Sequence, residues 1–430
     1  MTAAISLRRP AKVQWDLRPP GSKSLTNRAL LLAAIAEGRS EIRGWLDADD
    51  TRYMRDALAK LGVSVTEEDG ALVVPGAGGP LRADSEDPEV FVGTAGTVAR
   101  FLLAVLAASP DRVVMDGTPR MRERPMSTLI DALVEQGAAI RSLGQPGFLP
   151  VEIGPHPQGL RGGEIRIGRP ASSQFISGLV IAAALASDPT RIVLEQGTPA
   201  RPYVDMTLAV VEAFGGRAAW ADTDCIEVVP TPLCGRPYDV EPDASAASYP
   251  LALAAIWGGT TVIDGLGTES LQGDVAFAQT LAQMGARVQQ GPQRTELHGT
   301  GELRGGDFDL SNTPDMTLTL AVAALFARSP TTIRGVAILR HHESDRLAAA
   351  ATELRKLGAE VEENEDGLRI VPPAAGPRSG VEINTYDDHR MAMAFAMVGD
   401  VVILDPDCVG KTYPEYFRHL ERLGMVVGAE

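Results

Sequence analysis

Six times along this chain a helix-like stretch runs into a glycine and continues as a short apolar strand. The six are Ala57-Leu-Ala-Lys-Leu-Gly62, Ala132-Leu-Val-Glu-Gln-Gly137, Val210-Val-Glu-Ala-Phe-Gly215, Thr280-Leu-Ala-Gln-Met-Gly285, Glu353-Leu-Arg-Lys-Leu-Gly358 and His419-Leu-Glu-Arg-Leu-Gly424. The glycines stand 66 to 78 residues apart, each where a left-handed helix cap would take one. A period of this length marks one supersecondary unit reused along the chain.

A second mark keeps the same period. Helices almost free of charge are expected to begin near Ser22, Gly96, Ser173, Ala246, Pro314 and Asp388, with bodies such as Phe101-Leu-Leu-Ala-Val-Leu-Ala-Ala108 and Gly178-Leu-Val-Ile-Ala-Ala-Ala-Leu185. A helix apolar on all sides has to be enclosed. Strands follow, at Arg112–Gly117, Arg191–Leu194, Thr260–Gly265, Thr332–Gly335 and Val401–Leu404, then a polar loop and the outer helix that ends at the marker glycine. The expected fold is therefore α/β, with buried helices enclosed by sheets in an inside-out arrangement and three repeats in each of two domains. Pro237 and Pro242 mark a hinge near residue 240.

Composition bounds the function. A hydrophobic share of 44% over 430 residues is enough for two large cores. A formal net charge of −16 disfavours nucleic acid and anionic membrane as partners, although an acidic surface can still hold a basic cleft. Cys225, Cys234 and Cys408 show neither metal-ligand nor disulfide spacing, which suits a reducing cytoplasm. Arg8, Arg9 and Lys12 precede no apolar leader, and no apolar run is long enough to span a bilayer.

If the repeats are equivalent, the starts of the enclosed helices share one location, and the loops before the outer helices share another. The helix starts hold Lys23, Ser24 and Arg28; Thr94, Gly96, Thr97 and Arg100; Ser172, Ser173 and Gln174; Asp243 and Ser245; Asn312 and Asp315; and Asp387, Asp388, His389 and Arg390. The loops add Arg120, Arg122, Arg124, Arg201, Tyr203, His341, His342, Glu343, Arg346 and Lys411. Cations and hydroxyls gathered at helix N-termini make a site for several anions. Taken singly, each residue has a plainer reading. Ser22 or Ser24 caps a helix, Asp315 is a cap or first-turn acid, and Glu343 pairs with Arg346. His341 and His342 lack a third ligand at suitable spacing, so no metal is expected.

These segments together resemble the 5-enolpyruvylshikimate-3-phosphate synthase family, along the whole chain. The resemblance rests on Gly21-Ser-Lys-Ser24 with Arg28, Gly93-Thr-Ala-Gly-Thr97, Arg120-Met-Arg-Glu-Arg-Pro125, Ser172-Ser-Gln174, Pro202-Tyr203, Pro314-Asp315, Glu343-Ser-Asp-Arg346, Asp388-His-Arg390 and Cys408-Val-Gly-Lys-Thr412. It implies an inside-out α/β barrel in each of two domains, 21–240 and 1–20 plus 241–430, with the active site in the cleft between them. It also implies transfer of the enolpyruvyl group of phosphoenolpyruvate to the 5-hydroxyl of shikimate 3-phosphate, with release of phosphate.

The residues carried over by the resemblance fall into three sets. Lys23, Asp315 and Glu343 are the catalytic set. Lys23, Ser24, Arg28, Ser172, Ser173, Gln174, Tyr203, Asp315 and His342 hold shikimate 3-phosphate, and Lys23, Gly96, Arg124, Gln174, Arg346, Arg390 and Lys411 hold phosphoenolpyruvate. No cofactor is implied, the partners are the two substrates, and a cytoplasmic monomer is expected. Four residues depart from the family's usual pattern: Thr94 and Ile338 stand for Asn, Ala200 for Ser, and His342 for Lys. One rival is the related transferase acting on UDP-N-acetylglucosamine, which usually carries a Cys in the loop matching Asp116–Pro125, where this chain has none. The other is a non-catalytic anion-binding homologue.

Overall fold

The computed structural model describes residues 3–85, 88–168, 170 and 172–429. Its chain divides into two compact units, Gly21–Val240 and Met1–Pro20 with Glu241–Glu430. Each has its own apolar core, and no described residue belongs to both cores.

Among the described residues, the strands form six separate four-stranded sheets, three in each unit, and no sheet closes on itself. The sheet Glu89–Phe91, Val113–Asp116, Val151–Ile153, Ile140–Ser142 shows the plan. Its first pair is parallel, with Val90 opposite Met115, and the two remaining pairs are antiparallel. A parallel pair needs a long crossover, and the apolar helix Gly96–Leu106 supplies it. The outer helix Ser127–Glu135 then returns the chain to the hairpin that finishes the sheet. The five other sheets have the same pattern of pairing.

Two sheets in the unit around residues 241–430 depend on the start of the chain. Val13–Leu17 lies parallel to Gly259–Asp264, while Ala4–Leu7 fills the third place between Val401–Leu404 and Val426–Ala429. In the other unit, the departing chain supplies the first strand of a sheet, Pro237–Asp239, parallel to Glu37–Arg43.

The six inner helices are Lys23–Ile35, Gly96–Leu106, Ser173–Ala183, Ala244–Trp257, Thr317–Ala324 and His389–Ala396. Every residue of Gly96–Leu106 is buried, as a helix with no charged face requires. Full burial of side chains such as Leu30, Leu31 and Leu102 stabilises the core by about 1.5–3 kcal/mol each. The outer helices are amphipathic: Asp49–Lys60 buries Asp50, Thr51, Met54, Ala57 and Leu58 along one stripe. All six marker glycines have positive φ, from 72° at Gly424 to 117° at Gly285, the region in which a Cβ is penalised.

Two helix starts differ from the expected ones. The fourth inner helix begins at Ala244 rather than Ala246, because Asp243 caps it by accepting the Ala246 N–H at 2.9 Å. The fifth enters through a separate 3₁₀ turn, Pro314–Met316.

Candidate active site

In the unit Gly21–Val240, the polar residues lie where the three inner helices begin. Ser22 caps the first of them, its Oγ accepting the Leu25 N–H at 3.4 Å, so the plainer reading holds for Ser22. Ser24 lies inside the first turn, and its carbonyl accepts from Arg28 Nη1 at 3.0 Å. Lys23 Nζ lies 3.2 Å from the Asp50 carboxylate, which is buried at the start of the first outer helix.

Arg28 is 2% exposed and reaches across the unit. It donates to Thr207 Oγ1 at 2.8 Å, Ser177 Oγ at 3.3 Å and the Tyr203 carbonyl at 2.9 Å, and its guanidinium lies over the Phe101 ring. Those hydrogen-bond acceptors are neutral oxygens, and burial pulls the Arg28 pKa down to about 10, partly offset by Tyr203 and Tyr238. A buried cation held by neutral groups is well suited to an incoming carboxylate.

The second and third inner helices meet start to start. Gln174 Nε2 donates to Thr97 Oγ1 at 3.5 Å, while Ser172 caps its own helix by accepting the Gln174 N–H at 3.2 Å. Ser173 is buried in the same turn, and Gln174 Oε1 is buried with no hydrogen-bond partner among the described residues. Arg124 is 4% exposed and donates to the Thr94 carbonyl at 3.0 Å. At Gly96 a Cβ would sit 2.6 Å from Arg124 Nη2 and 2.7 Å from Arg100 Nη1, so glycine is what lets two guanidinium groups approach this helix start.

In the other unit, a buried ion-pair network is built around Arg346. Arg346, 2% exposed, bonds the Asp315 carboxylate at 3.1 Å, Glu343 at 3.0 Å and Asp388 at 2.8 Å. Arg390 joins the second oxygen of Asp315 at 2.8 Å, and Lys411 the second oxygen of Glu343 at 3.0 Å. Burial alone would lower the Arg346 pKa, but the charges of Asp388, Glu343 and Asp315 raise it further, so this guanidinium stays charged. The cations Arg346, Arg390 and Lys411 thus face Asp315, Glu343 and Asp388 in a balanced set. Groups of this kind can exchange partners when anions arrive.

His342 Nδ1 lies 3.0 Å from Arg346 Nη1 and 3.9 Å from Asp315 Oδ1. Since guanidinium can only donate, Nδ1 is the acceptor and the ring carries its proton on Nε2. The pairing of Glu343 with Arg346 is present, and Asp315 is the acid in the first turn of the 3₁₀ helix, its carboxylate bonded to two arginines.

Three features escaped the sequence reading. Asp50 looks like one of several surface acids in Asp47-Ala-Asp-Asp50. Ser177 and Thr207 sit inside helices and carry no motif. Asp388 stands among the polar helix starts, but its grip on Arg346 crosses 42 residues and leaves no local signal.

Fold and site together define an α/β repeat protein with clustered cations and paired carboxylates, the equipment of a transferase acting on small anionic substrates. The family profile of EPSP synthase (3-phosphoshikimate 1-carboxyvinyltransferase) matches residues 7–420. The chain belongs to this family. It is 44% identical to the 3-phosphoshikimate 1-carboxyvinyltransferases of Serratia proteamaculans (strain 568) and Yersinia ruckeri, in each case over 99% of this chain and 100% of the relative. Two solved structures of EPSP synthase from Acinetobacter baumannii superpose with TM-scores of 0.83 and 0.80 at 27% and 26% identity, covering 100% of this chain and 100% and 99% of theirs.

Proposed function

We propose that this chain transfers the enolpyruvyl group of phosphoenolpyruvate to the 5-hydroxyl of shikimate 3-phosphate, releasing phosphate in the shikimate route to aromatic amino acids. Family membership supports that acceptor over a nucleotide sugar, and the intact acids and cations speak against a non-catalytic homologue. The observation that carries the mechanism is the bridging of Asp315 and Glu343 by one buried guanidinium, Arg346, at 3.1 and 3.0 Å.

In this reading Lys23, Ser24, Arg28, Ser172, Ser173, Gln174, Tyr203 and His342 bind shikimate 3-phosphate. Lys23, Gly96, Arg124, Gln174, Arg346, Arg390 and Lys411 bind phosphoenolpyruvate. The substrates bring two phosphates and two carboxylates that repel each other, and the cations offset this repulsion.

Asp315 takes the proton of the 5-hydroxyl as its oxygen bonds to the central vinyl carbon, and Glu343 gives a proton to the methylene carbon. Glu343 then takes a proton back from the resulting methyl group while the bond from the same central carbon to the phosphate oxygen breaks. Asp315 returns its proton to the departing phosphate oxygen, so both acids end as they began and atoms and charge balance over addition and then elimination. The present pairing also supplies a trigger. When Arg346, Arg390 and Lys411 turn to substrate anions, Asp315 and Glu343 lose their cationic partners and both gain proton affinity.

The partners are these two small molecules, and no metal or cofactor enters the scheme. Among the described residues no helix is long and apolar enough to cross a membrane, and the cysteines Cys225, Cys234 and Cys408 are free thiols, which a cytoplasmic setting suits. The test is release of inorganic phosphate by the purified chain. Release is expected with shikimate 3-phosphate plus phosphoenolpyruvate and not with UDP-N-acetylglucosamine; no release with the shikimate acceptor would overturn the proposal.

A further inference from the structure

Two short turns pack against the fourth inner helix, Ala244–Trp257. One, Pro314–Met316, carries Asp315; the other, Gly273–Ala276, carries Asp274. Asp274 is 4% exposed, and its Oδ2 accepts the Ser245 hydroxyl at 2.5 Å. Its place is fixed by the residue two before it. The Gln272 side chain donates to the Glu241 carboxylate at 3.0 Å and the Pro242 carbonyl at 2.7 Å, and accepts the Ala244 N–H at 3.0 Å. That staple pins the loop to the first turn of the helix and holds Asp274 away from water.

The Ser245 side of the helix looks toward the fifth inner helix. One turn on, Ser248 donates to the Ser245 carbonyl at 2.7 Å and meets Thr319 Oγ1 of that helix at 3.0 Å. Three charged groups bear on the buried carboxyl: Asp243 caps the fourth inner helix, Asp315 stands at the entry of the fifth and Arg390 on the sixth; Tyr249 of the fourth helix is in reach of Arg390 and Asp315. Burial pushes Asp274 up to about 7, and the charge of Asp315 adds to this; the Ser245 hydrogen bond and Arg390 pull it down, and Asp243 raises it again. Tyr249, pushed by burial to about 12, keeps its proton throughout the neutral range.

We propose, resting on the assignment of Asp315 as the base, that Asp274 is a positioning residue whose carboxylate, held by Ser245, strengthens Asp315 for removal of the 5-hydroxyl proton. Asp315 has two arginine partners, and cations that stabilise a carboxylate weaken it as a base. A second buried carboxylate opposes them, in the way that paired carboxylates drive each other's proton affinities apart. The help depends on ionisation: Asp274 contributes when charged and not when protonated, so turnover rises as pH passes through the neutral region.

The test is kcat against pH, from 5.5 to 9 with both substrates saturating, for the wild type, Asp274→Asn, Ser245→Ala and Asp315→Asn. Asp274→Asn is expected to lose the rise near neutrality and to turn over about tenfold more slowly at pH 8. Both of its KM values should stay within about twofold of the wild type. Ser245→Ala keeps the carboxylate but removes its donor, so the rise should move to higher pH; this variant reports even if Asp274→Asn folds poorly. A rise kept unchanged in both variants overturns the role of Asp274, provided Asp315→Asn is inactive. Wild-type turnover in Asp315→Asn would instead overturn the base assignment on which the proposal rests.

Discussion

Asp388 grips Arg346 with both carboxylate oxygens, at 2.8 Å to Nε and 3.2 Å to Nη2, in a site where neither side chain is more than 2% exposed. The same carboxylate caps the sixth inner helix through the Arg390 N–H at 3.0 Å and accepts the Ser344 hydroxyl at 3.0 Å. One residue therefore sets both a helix start and the aim of an arginine, which then reaches Asp315 and Glu343.

Removing that grip should cost binding of the donor first. Asp388→Asn keeps the shape but replaces a charged acceptor by an amide, leaving a buried guanidinium short of one carboxylate. Breaking a buried pair costs about 3–5 kcal/mol, part of it recovered here from the other acids on Arg346. The expected result is a lower Tm and a KM for phosphoenolpyruvate raised about tenfold or more, with the KM for shikimate 3-phosphate much less affected. Steady-state titration of each substrate against the variant checks the split.

Gly96 gives a second prediction from space alone. A methyl group there meets Arg124 Nη2 and Arg100 Nη1 at 2.6 and 2.7 Å, and both contacts are ends of side chains that can swing away. Gly96→Ala should therefore fold and keep its melting temperature to within a few degrees. Displacing Arg124 should raise the KM for phosphoenolpyruvate by about tenfold. An unchanged KM would mean that this helix start does not meet the donor.

Much of this is legible in the sequence. The six marker glycines fixed the repeat because each demands positive φ, a local requirement that sequence states directly. Apolar helix bodies announced enclosure for the same reason. Pairings across long separations were harder: that Ala4–Leu7 fills a gap beside Val401–Leu404 depends on where the last repeat lacks a strand. Single polar residues in unremarkable contexts were harder still, as Asp50, Thr207 and Asp274 show. Their positions follow from packing of elements, and nothing in their neighbours in sequence distinguishes them from surface residues.

His342 is where a charge is conditional. An imidazole is protonated mainly below about pH 6.5, whereas the Lys usual in the family is charged throughout the neutral range. Here Nδ1 accepts from Arg346, and it opens to a proton when substrate anions draw that guanidinium away. Substrate affinity should fall more steeply from pH 6 to 8 in the wild type than in His342→Lys, with the KM ratio for shikimate 3-phosphate changing on the order of threefold. Parallel pH profiles for the two proteins would sink the idea.

Asp274 also makes a prediction about stability that needs no substrate. Its pKa rises from the ordinary 3.8 to about 7 on folding, so between those values the folded chain holds a proton that the unfolded chain has lost. Its contribution to stability is fully present below about pH 4 and is lost as pH rises toward 7. Asn has no such dependence. The stability of Asp274→Asn relative to wild type should therefore improve by about 2 to 4 kcal/mol between pH 4 and pH 8. Denaturant titrations at the two pH values measure that difference directly, and a flat difference would show that the carboxyl is not buried as described.

The most direct test of the whole scheme is the turnover of Lys23→Met. Lys23 opens the first inner helix beside Asp50 and is assigned to both substrates, so it marks the point where they meet. With saturating shikimate 3-phosphate and phosphoenolpyruvate, the variant should keep its circular dichroism spectrum and release phosphate about a thousandfold more slowly than the wild type, or slower still. Release at a rate close to that of the wild type would contradict the placing of the reaction at this helix start.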